Sequence, residues 1–425
     1  MKKILTTGIL IMLFLAIGSF ITNAQQTLKA DSLHKDSLRK YALNVYLNCP
    51  YCDMDYVRKE ITFINYVRDK NDAQLYVLVT GMTTGSGGGE YSFYFIGQKE
   101  FTGKNDTLKI NTLPTSTDDE IRKLGNQMLK LGLMPYVAKT PLAKNISINY
   151  ESTEETNKVV DPWKSWIFNI NGSGYFSGEA SLKTKYLYSY LEASKVTEKL
   201  KLNISASYSY NKSIYKIDDT TTVTSLSNSK SFNVLYVKSL GEHWSLGGTA
   251  HITSSTYSNQ KLRYMMSPAI EYDLYKYSES TRRQLRFLYE IGGEHVDYVD
   301  TTIYNKVREN LFVHQLTIAY KVVETWGDIS ASLYGDQYFH DLSKNSLGLS
   351  ATFNIRIFKG LSLNLYGNAY LIHDQLSLAK AGATEQEILT QQRQLASQYS
   401  YYASIGLTYT FGSIYNNVVN PRFGN

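Results

Sequence analysis

Apolar and polar residues alternate through the second half of the chain, from Trp163 to Phe411. The clearest segments are LSLNLYGNAYLIHD, SLGLSATFNIRIF and GDISASLYGDQYFHD. A period of two places apolar residues on one face of a β-strand and polar residues on the other. We count about twelve such strands, with centres near residues 170, 186, 205, 234, 249, 268, 288, 316, 332, 352, 367 and 405.

The links between these predicted strands alternate in length. Short links follow even-numbered strands, at 241–242, 324–325 and 359–360, and long links follow odd-numbered strands, at 211–228, 297–308 and 376–398. Outer-membrane barrels combine an even strand number with short periplasmic turns and longer external loops. We therefore predict a mainly β chain with a transmembrane, antiparallel up-and-down β-barrel of about 12 strands over residues 163–411, rather than a soluble β-sandwich. The last strand, which ends on Phe411, is expected to close against the first.

A different pattern precedes the barrel and predicts a small α+β domain over residues 42–138, with the order β-α-β-β-α. LNVYLNC is a strand, and two more strands, AQLYVLVTG and EYSFYFIG, flank the glycine run 85–89. Apolar residues at helical spacing indicate the first helix: Val57, Ile61, Ile64 and Val67. The second helix starts at a capping box, Thr117 to Glu120, and its predicted apolar face is Ile121, Leu124, Met128 and Leu131.

The remaining segments are assigned by composition. Residues 1–24 have a basic start, an apolar run and a small-residue cleavage site, as in a secretory signal peptide. Residues 25–41 form an N-terminal extension, 139–162 a polar linker and 412–425 a C-terminal periplasmic tail. An even strand number puts both barrel ends in the periplasm, so the protein is predicted in the cell outer membrane with its N-terminal domain in the periplasm. Loops near 217, 302 and 387 then face outward.

Composition agrees with a membrane barrel. The chain has 36 tyrosines, only two cysteines and seven prolines, and tyrosine suits the aromatic girdles of such barrels. No apolar run after the signal peptide reaches the roughly 18–20 residues of a membrane helix. The formal charge of +6 falls to +4 once Lys2 and Lys3 are removed, which is too mild to predict a nucleic-acid partner.

Two motifs are candidates for chemistry. Cys49-Pro50-Tyr51-Cys52 stands between a strand and a helix, the local context of thiol redox enzymes. In such redox folds a threonine–proline element is expected before a strand like YFIG, but here it follows that strand. In an exported chain with one close pair of cysteines, the simplest outcome is that the pair oxidises to a disulfide. Cys49 and Cys52 are thus disulfide candidates, with a redox-active pair, free thiols or a metal site as the alternatives. The glycine run joins strand to strand with no following lysine, so it predicts a hairpin loop rather than a phosphate site. We predict no catalytic, metal or cofactor-binding residues.

Three long segments resemble an uncharacterised family of outer-membrane β-barrel proteins from Bacteroidota. They are VYLNCPYCDMDYVRKEITFINYVRD, SPAIEYDLYKYSESTRRQLRFLYEIG and the C-terminal stretch from GATEQEIL to NPRFGN. The resemblance implies an outer-membrane location and this architecture, with an N-terminal periplasmic α/β domain. It implies no activity, and variation between the two cysteines in the family argues against redox chemistry.

The expected function is a narrow, porin-like pore for small solutes. The polar residues predicted to face the lumen are Lys183, Lys185, Arg263, Glu271, Arg286, Glu290, Glu294, Asp336 and Arg356. Because current would run through the lumen, deletion of residues 42–138 is expected to leave conductance largely intact. Besides outer-membrane lipid, a periplasmic protein partner could bind residues 42–138.

Two other functions stay open. The N-terminal domain could make the protein a scaffold or assembly adaptor. An outer-membrane hydrolase would need a nucleophile and base near a barrel rim, where His340, Asp341, Asp336, His373 and Asp374 are the candidates.

Overall fold

The computed structural model describes residues 40–85, 87–148, 162–217, 220–382, 387, 393–413, 415 and 417. The predicted signal peptide lies outside the described residues. So do nearly all of the N-terminal extension and most of the linker and the C-terminal tail.

The N-terminal domain is a five-stranded mixed sheet with two α-helices. Its elements are β1 (Leu43–Asn48), α1 (Met54–Glu60), β2 (Ile64–Tyr66), β3 (Leu75–Thr83), β4 (Gly89–Gly97), β5 (Asn105–Asn111) and α2 (Asp118–Val137). The sheet order is β2-β1-β3-β4-β5, with β1 parallel to β2 and β3 and the remaining pairs antiparallel. The predicted order β-α-β-β-α therefore lacked two strands.

The first helix is shorter than its apolar spacing predicted. It ends at Glu60, and Ile64 belongs to β2, which pairs with β1. Val57, Ile61 and Ile64 are all buried, so the spacing correctly marked core residues but could not distinguish a helix from a strand formed by long-range pairing.

The second helix begins where the capping box predicted. The Thr117 hydroxyl accepts from the Glu120 amide at 3.3 Å, and the Glu120 carboxylate accepts from the Thr117 amide at 2.8 Å. Its predicted apolar face is only partly right, because Met128 packs against the core but Leu124 and Leu131 are exposed. The helix instead buries Leu129, Gly132, Leu133, Tyr136 and Val137.

The rest of the described chain is one antiparallel, up-and-down sheet of twelve strands in sequence order. The strands are β6 (Trp166–Gly178), β7 (Leu182–Val196), β8 (Leu200–Lys216), β9 (Thr222–Ser239), β10 (Trp244–Ser255), β11 (Gln260–Asp273), β12 (Arg283–Tyr298), β13 (Arg308–Glu324), β14 (Gly327–Tyr338), β15 (Asn345–Phe358), β16 (Leu361–Ile372) and β17 (Tyr399–Tyr409). The strand number is confirmed, and each predicted centre lies within its strand.

The links define two ends of this sheet. The short-turn end carries links 197–199, 240–243, 274–282, 325–326 and 359–360, and the long-link end carries 179–181, 217–221, 256–259, 299–307, 339–344 and 373–398. The long link predicted at 211–228 is wrong, because β8 and β9 extend into it and leave only 217–221. Link 274–282 is longer than predicted because it contains a turn of 3-10 helix, Tyr277–Glu279.

The two faces of the twelve-stranded sheet have the opposite polarity to those of a soluble protein, because charged and hydroxyl side chains are buried and apolar ones are exposed. On one face Ser267 is 3% and Glu294 6% exposed, whereas on the other Met266 is 69% and Phe312 62% exposed. A face of a single-layer sheet becomes buried when the sheet curls around it. The hydroxyl of Tyr338 on β14 also donates to Glu294 on β12 at 3.2 Å, across the intervening β13. The polar face is therefore concave, and we call it the inner face.

The sheet is not closed. Strands β6 and β17 stand at its two edges, and among the described residues neither pairs with the other. Both edge strands are exposed along nearly their whole length. Within the described ranges, no helix is long and apolar enough to cross a membrane.

The N-terminal domain lies against the short-turn end of the large sheet. The Tyr94 hydroxyl is 3.2 Å from that of Thr281 in link 274–282, and the Lys359 ammonium is 2.7 Å from the Asp72 carboxylate. The domain is thus in direct contact with the links at the short-turn end, which we call the rim.

Candidate functional site

The inner face of the twelve-stranded sheet gathers most of the residues that the sequence marked. Directly paired residues of neighbouring strands share a face, so the register decides which residues lie together. Seven of the nine predicted residues share the inner face: Arg263, Glu271, Arg286, Glu290, Glu294, Asp336 and Arg356.

The prediction for Lys183 and Lys185 is wrong. Lys185 pairs with Lys212, which pairs with Leu226 on the opposite, apolar face. Residues at even positions of β7, such as Glu192, lie on the inner face instead. In KTKYLYSY the tyrosines suit either face, so alternation alone did not decide which set turned inward. A lysine on an apolar face can still extend its ammonium toward a polar boundary.

Glu294 is a deeply buried charge on the inner face. Its side chain is 2% exposed. The Arg263 guanidinium on the neighbouring strand β11 donates to it through Nε at 2.7 Å, and Tyr338 donates to its other oxygen. These bonds compensate the desolvation of the carboxylate, since a buried charge is tolerated when it is paired and hydrogen-bonded.

A second charged group lies nearer the short-turn end. Arg286 is 3.7 Å from Glu271, which also accepts a hydrogen bond from the Tyr277 hydroxyl at 3.1 Å. Burial raises the pKa of Tyr277, in the turn between strands, to about 12, so its phenol is a neutral donor at pH 7. Glu290 lies between the two groups and has no ion-pair partner among the residues that the structure describes.

The inner face of β8 and β9 is mostly uncharged, a feature that the predicted list of charged lumen residues did not include. Strands β8 and β9 present Ser205, Ser207, Ser231 and Asn233 on the inner face. The Ser207 and Ser231 hydroxyls are 2.7 Å apart, and the Asn233 amide oxygen is 2.8 Å from His251 Nδ1. Alternating serine in SLSNSKSFNV could have identified this wall from the sequence.

A cavity of about 390 Å³ separates the N-terminal domain from the inner face. Pro50 and Tyr51 line it from the domain, and Asp328, Asn354 and Arg356 line it from the sheet. This space is therefore the vestibule of the inner face at the short-turn end.

The two cysteines form a disulfide bond, with their Cα atoms 5.4 Å apart. Both pack against the core of the N-terminal domain. The bond closes the loop that carries Pro50 and Tyr51, and the Tyr51 ring packs edge-on against Tyr91, with centroids 5.5 Å apart. The pair thus shapes the corner that faces the vestibule.

The residues considered for a hydrolase lie at the long-link end. Asp341 accepts hydrogen bonds from the amide and hydroxyl of Ser343, at 3.0 and 2.7 Å. His373 Nδ1 is 3.3 Å from the Asn345 amide oxygen, and His340 packs edge-on against Tyr338. Asp336 accepts from Ser346 on the neighbouring strand. In these contacts no histidine meets a serine hydroxyl.

The long-link end is covered by links that pair with one another. Thr302 bridges to Ala379, joining links 299–307 and 373–398. The Asn259 side chain, 8% exposed, donates to the carbonyls of Asp300 and Ser377 at 3.0 and 2.8 Å. The described parts of these three links therefore contact one another at this end of the sheet.

Comparison with known proteins adds little to this geometry. No family model matches the chain, and no curated protein matches it. One solved structure to which it is similar is that of the NanC porin in a rhombohedral crystal form. The match has 10% sequence identity, covers 58% of this chain and all of that one, and has a TM-score of 0.27. A likeness this distant carries no argument, and the proposal below depends on the geometry alone.

Proposed function

We propose that the protein is a narrow outer-membrane channel for small solutes, with residues 42–138 in the periplasm. The observation that carries the proposal is the inverted polarity of the twelve-stranded sheet. An exposed apolar outer face suits lipid, and an inner face that buries charged and hydroxyl side chains, beside the apolar Val296, Leu311 and Val313, suits a narrow lumen. The mixed charges and hydroxyls of the inner face would then line the solute path.

The stagger of the strands supports closure into a barrel. A line of paired residues that starts at Trp166, the first residue of β6, arrives nine strands later at Asn345, the first residue of β15. This line climbs from the short-turn end to the long-link end. If the line is continued to β17 and the sheet is closed, the line returns to β6 about 12 to 14 residues from its starting point. This stagger corresponds to a strand tilt of about 35–40°. Transmembrane barrels have tilts of this size.

Closure is tested by cysteines across the seam. If β17 pairs with β6, two registers place the inner-face residues of both strands on the same side. In these registers Ser404 of β17 lies opposite Ser173 or Asn171 of β6. We expect Ser404→Cys to form a disulfide with one of Ser173→Cys and Asn171→Cys, and not with the control Gly172→Cys, whose position lies on the opposite face. The cross-linked barrel should keep its compact electrophoretic mobility after boiling without reductant. Equal cross-linking of all three pairs, or of none, would contradict closure in this register.

Channel activity and orientation need separate measurements. Purified protein in planar bilayers should give discrete conductance steps. Epitopes inserted at 217 or 302 should be labelled on intact cells, and one at 87 should not, because short turns are expected in the periplasm. Labelling at 87 would overturn the orientation.

An adaptor role is favoured by one observation on the N-terminal domain. Strand β5 is the outer strand of its sheet, with most of its residues exposed. Such an edge can accept a strand from a partner protein. Gentle cross-linking in cells, followed by identification of peptides joined to β5, tests this role; cross-links confined to the chain itself would count against it.

A further inference from the structure

We propose that the N-terminal domain is a releasable plug that shuts the channel at its short-turn end. The inference rests on the proposed channel function. It reverses the expectation that deletion of residues 42–138 leaves conductance intact, because the domain is docked across the mouth.

The domain presents one face of its sheet to the barrel. In β3, Leu75, Val77 and Val79 pack into the core with the helices. The alternate residues Tyr76 and Leu78 are 0% and 1% exposed yet lie outside that core. Leu78 lines the vestibule, so the large sheet covers this second face.

Contacts reach the rim at separated strands. At one side, the backbone of Gly85 in the β3–β4 loop approaches Val196 at the end of β7 very closely. A Cβ added to this glycine would lie 1.9 Å from the Val196 Cβ. In the middle, the Arg282 guanidinium lies 5.8 Å from the centre of the Tyr94 ring. At the other side, Gly360 between β15 and β16 donates its amide to Asp69 at 3.1 Å. The domain therefore lies across the mouth rather than beside one strand.

Arg356 forms the most elaborate of these contacts. Its guanidinium lies 5.0 Å from the centre of the Tyr46 ring, which stacks on Tyr76 at 5.3 Å. The same group donates to the Tyr76 hydroxyl at 3.4 Å and to the Thr325 carbonyl of its own sheet at 3.1 Å. A cation over an aromatic face is attracted to it by the ring quadrupole. Arg356 thus joins the domain to the inner face.

Three further contacts tie the domain to link 359–360 and to the C-terminal tail. Lys359 pairs with Asp72 at 2.7 Å. In the C-terminal tail, Asn417 accepts from the Tyr66 amide at 2.6 Å, and Tyr415 bridges to Val67 beside β2. The tail thereby extends the edge of the small sheet.

The docking surface is suited to release. Thr80 and Ser92 are 5% and 0% exposed on the docked face, and neither hydroxyl has a hydrogen-bond partner among the described residues. The Lys359–Asp72 pair is half-exposed, and exposed pairs hold weakly. With the vestibule between them, the two bodies meet through separated contacts instead of a continuous apolar core.

The test uses charge reversal in the full chain and bilayer recording. Lys359→Asp and Asp72→Lys should each raise the open fraction about threefold, and Arg356→Ala by tenfold or more. The double variant with both reversals should return toward wild type. Lys276→Asp is the control, because Lys276 pairs with Glu242 at the same end and, among the described residues, forms no ion pair with the domain.

A second experiment fixes the domain in place by cross-linking. Asp72→Cys with Lys359→Cys, bridged by a short bis-maleimide, should stay closed even when Arg356→Ala is added. The same protein treated with a monofunctional maleimide should open, since it loses the ion pair without gaining a tether.

The outcomes separate the two proposals. Equal conductance in wild type, charge-reversal variants and bridged protein would overturn the plug and leave the channel standing. No conductance in any of these proteins, each with heat-modifiable mobility that shows an assembled barrel, would overturn the channel and the plug that rests on it.

Discussion

Replacing Arg263 by methionine tests how strongly the inner face depends on its buried charges. The Glu294 side chain is almost fully buried and, among the described residues, would keep only the hydrogen bond from Tyr338. Breaking a buried ion pair from one side costs about 3–5 kcal/mol, and the remaining hydrogen bond offsets about 1 kcal/mol. We therefore expect the free energy of unfolding to fall by roughly 2–4 kcal/mol.

Urea unfolding in detergent, followed by tryptophan fluorescence and by electrophoretic mobility, measures this loss. Lys185→Met is the matched control, because Lys185 lies on the outer face, and it should change stability by less than about 0.5 kcal/mol. Arg263→Met with Glu294→Leu should recover most of the loss, since both charges are then absent. A loss below about 1 kcal/mol for Arg263→Met, or an equal loss for Lys185→Met, would refute the reasoning.

Three further predictions concern selectivity, the disulfide and pH. Arg286→Glu should shift the reversal potential toward cations, because charges in a narrow lumen act on ions at close range; Lys185→Glu should leave it unchanged, and equal shifts would contradict the assigned faces. Cys49 and Cys52 should resist alkylation until reduced, as read by mass spectrometry, and a Cys49→Ser/Cys52→Ser variant should still assemble a heat-modifiable barrel, whose absence would show that assembly needs the bond. The hydrogen bond to Asp72 raises the pKa of Lys359 above its ordinary value of 10.5, so this contact holds at lower pH and is lost only as pH rises through the raised value. The open fraction should thus be flat from pH 7 to 9.5, and a rise near pH 8 would show that another group controls docking.

Much of the architecture could be predicted from the sequence because its signals are local. In LSLNLYGNAYLIHD the alternation predicted β16, since a period of two belongs to strands whatever their neighbours are. The capping box at Thr117 likewise predicted the start of α2, because its two hydrogen bonds span only three residues. Such patterns persist in any fold that keeps the element.

Features that depend on partners distant in the chain needed the tertiary structure. Ile64 has helical spacing from Ile61, yet β1 recruits it into a strand. The face of Lys185 was decided by register across β8 and β9, which alternation within β7 does not encode. Tyr46, Tyr76 and Arg356 meet although up to 310 positions separate them in sequence. The sequence by itself determined the twelve strands of the large sheet, most of their links and the start of α2. Packing alone decided which faces turn inward and what covers the mouth, because burial depends on neighbours that local patterns do not specify.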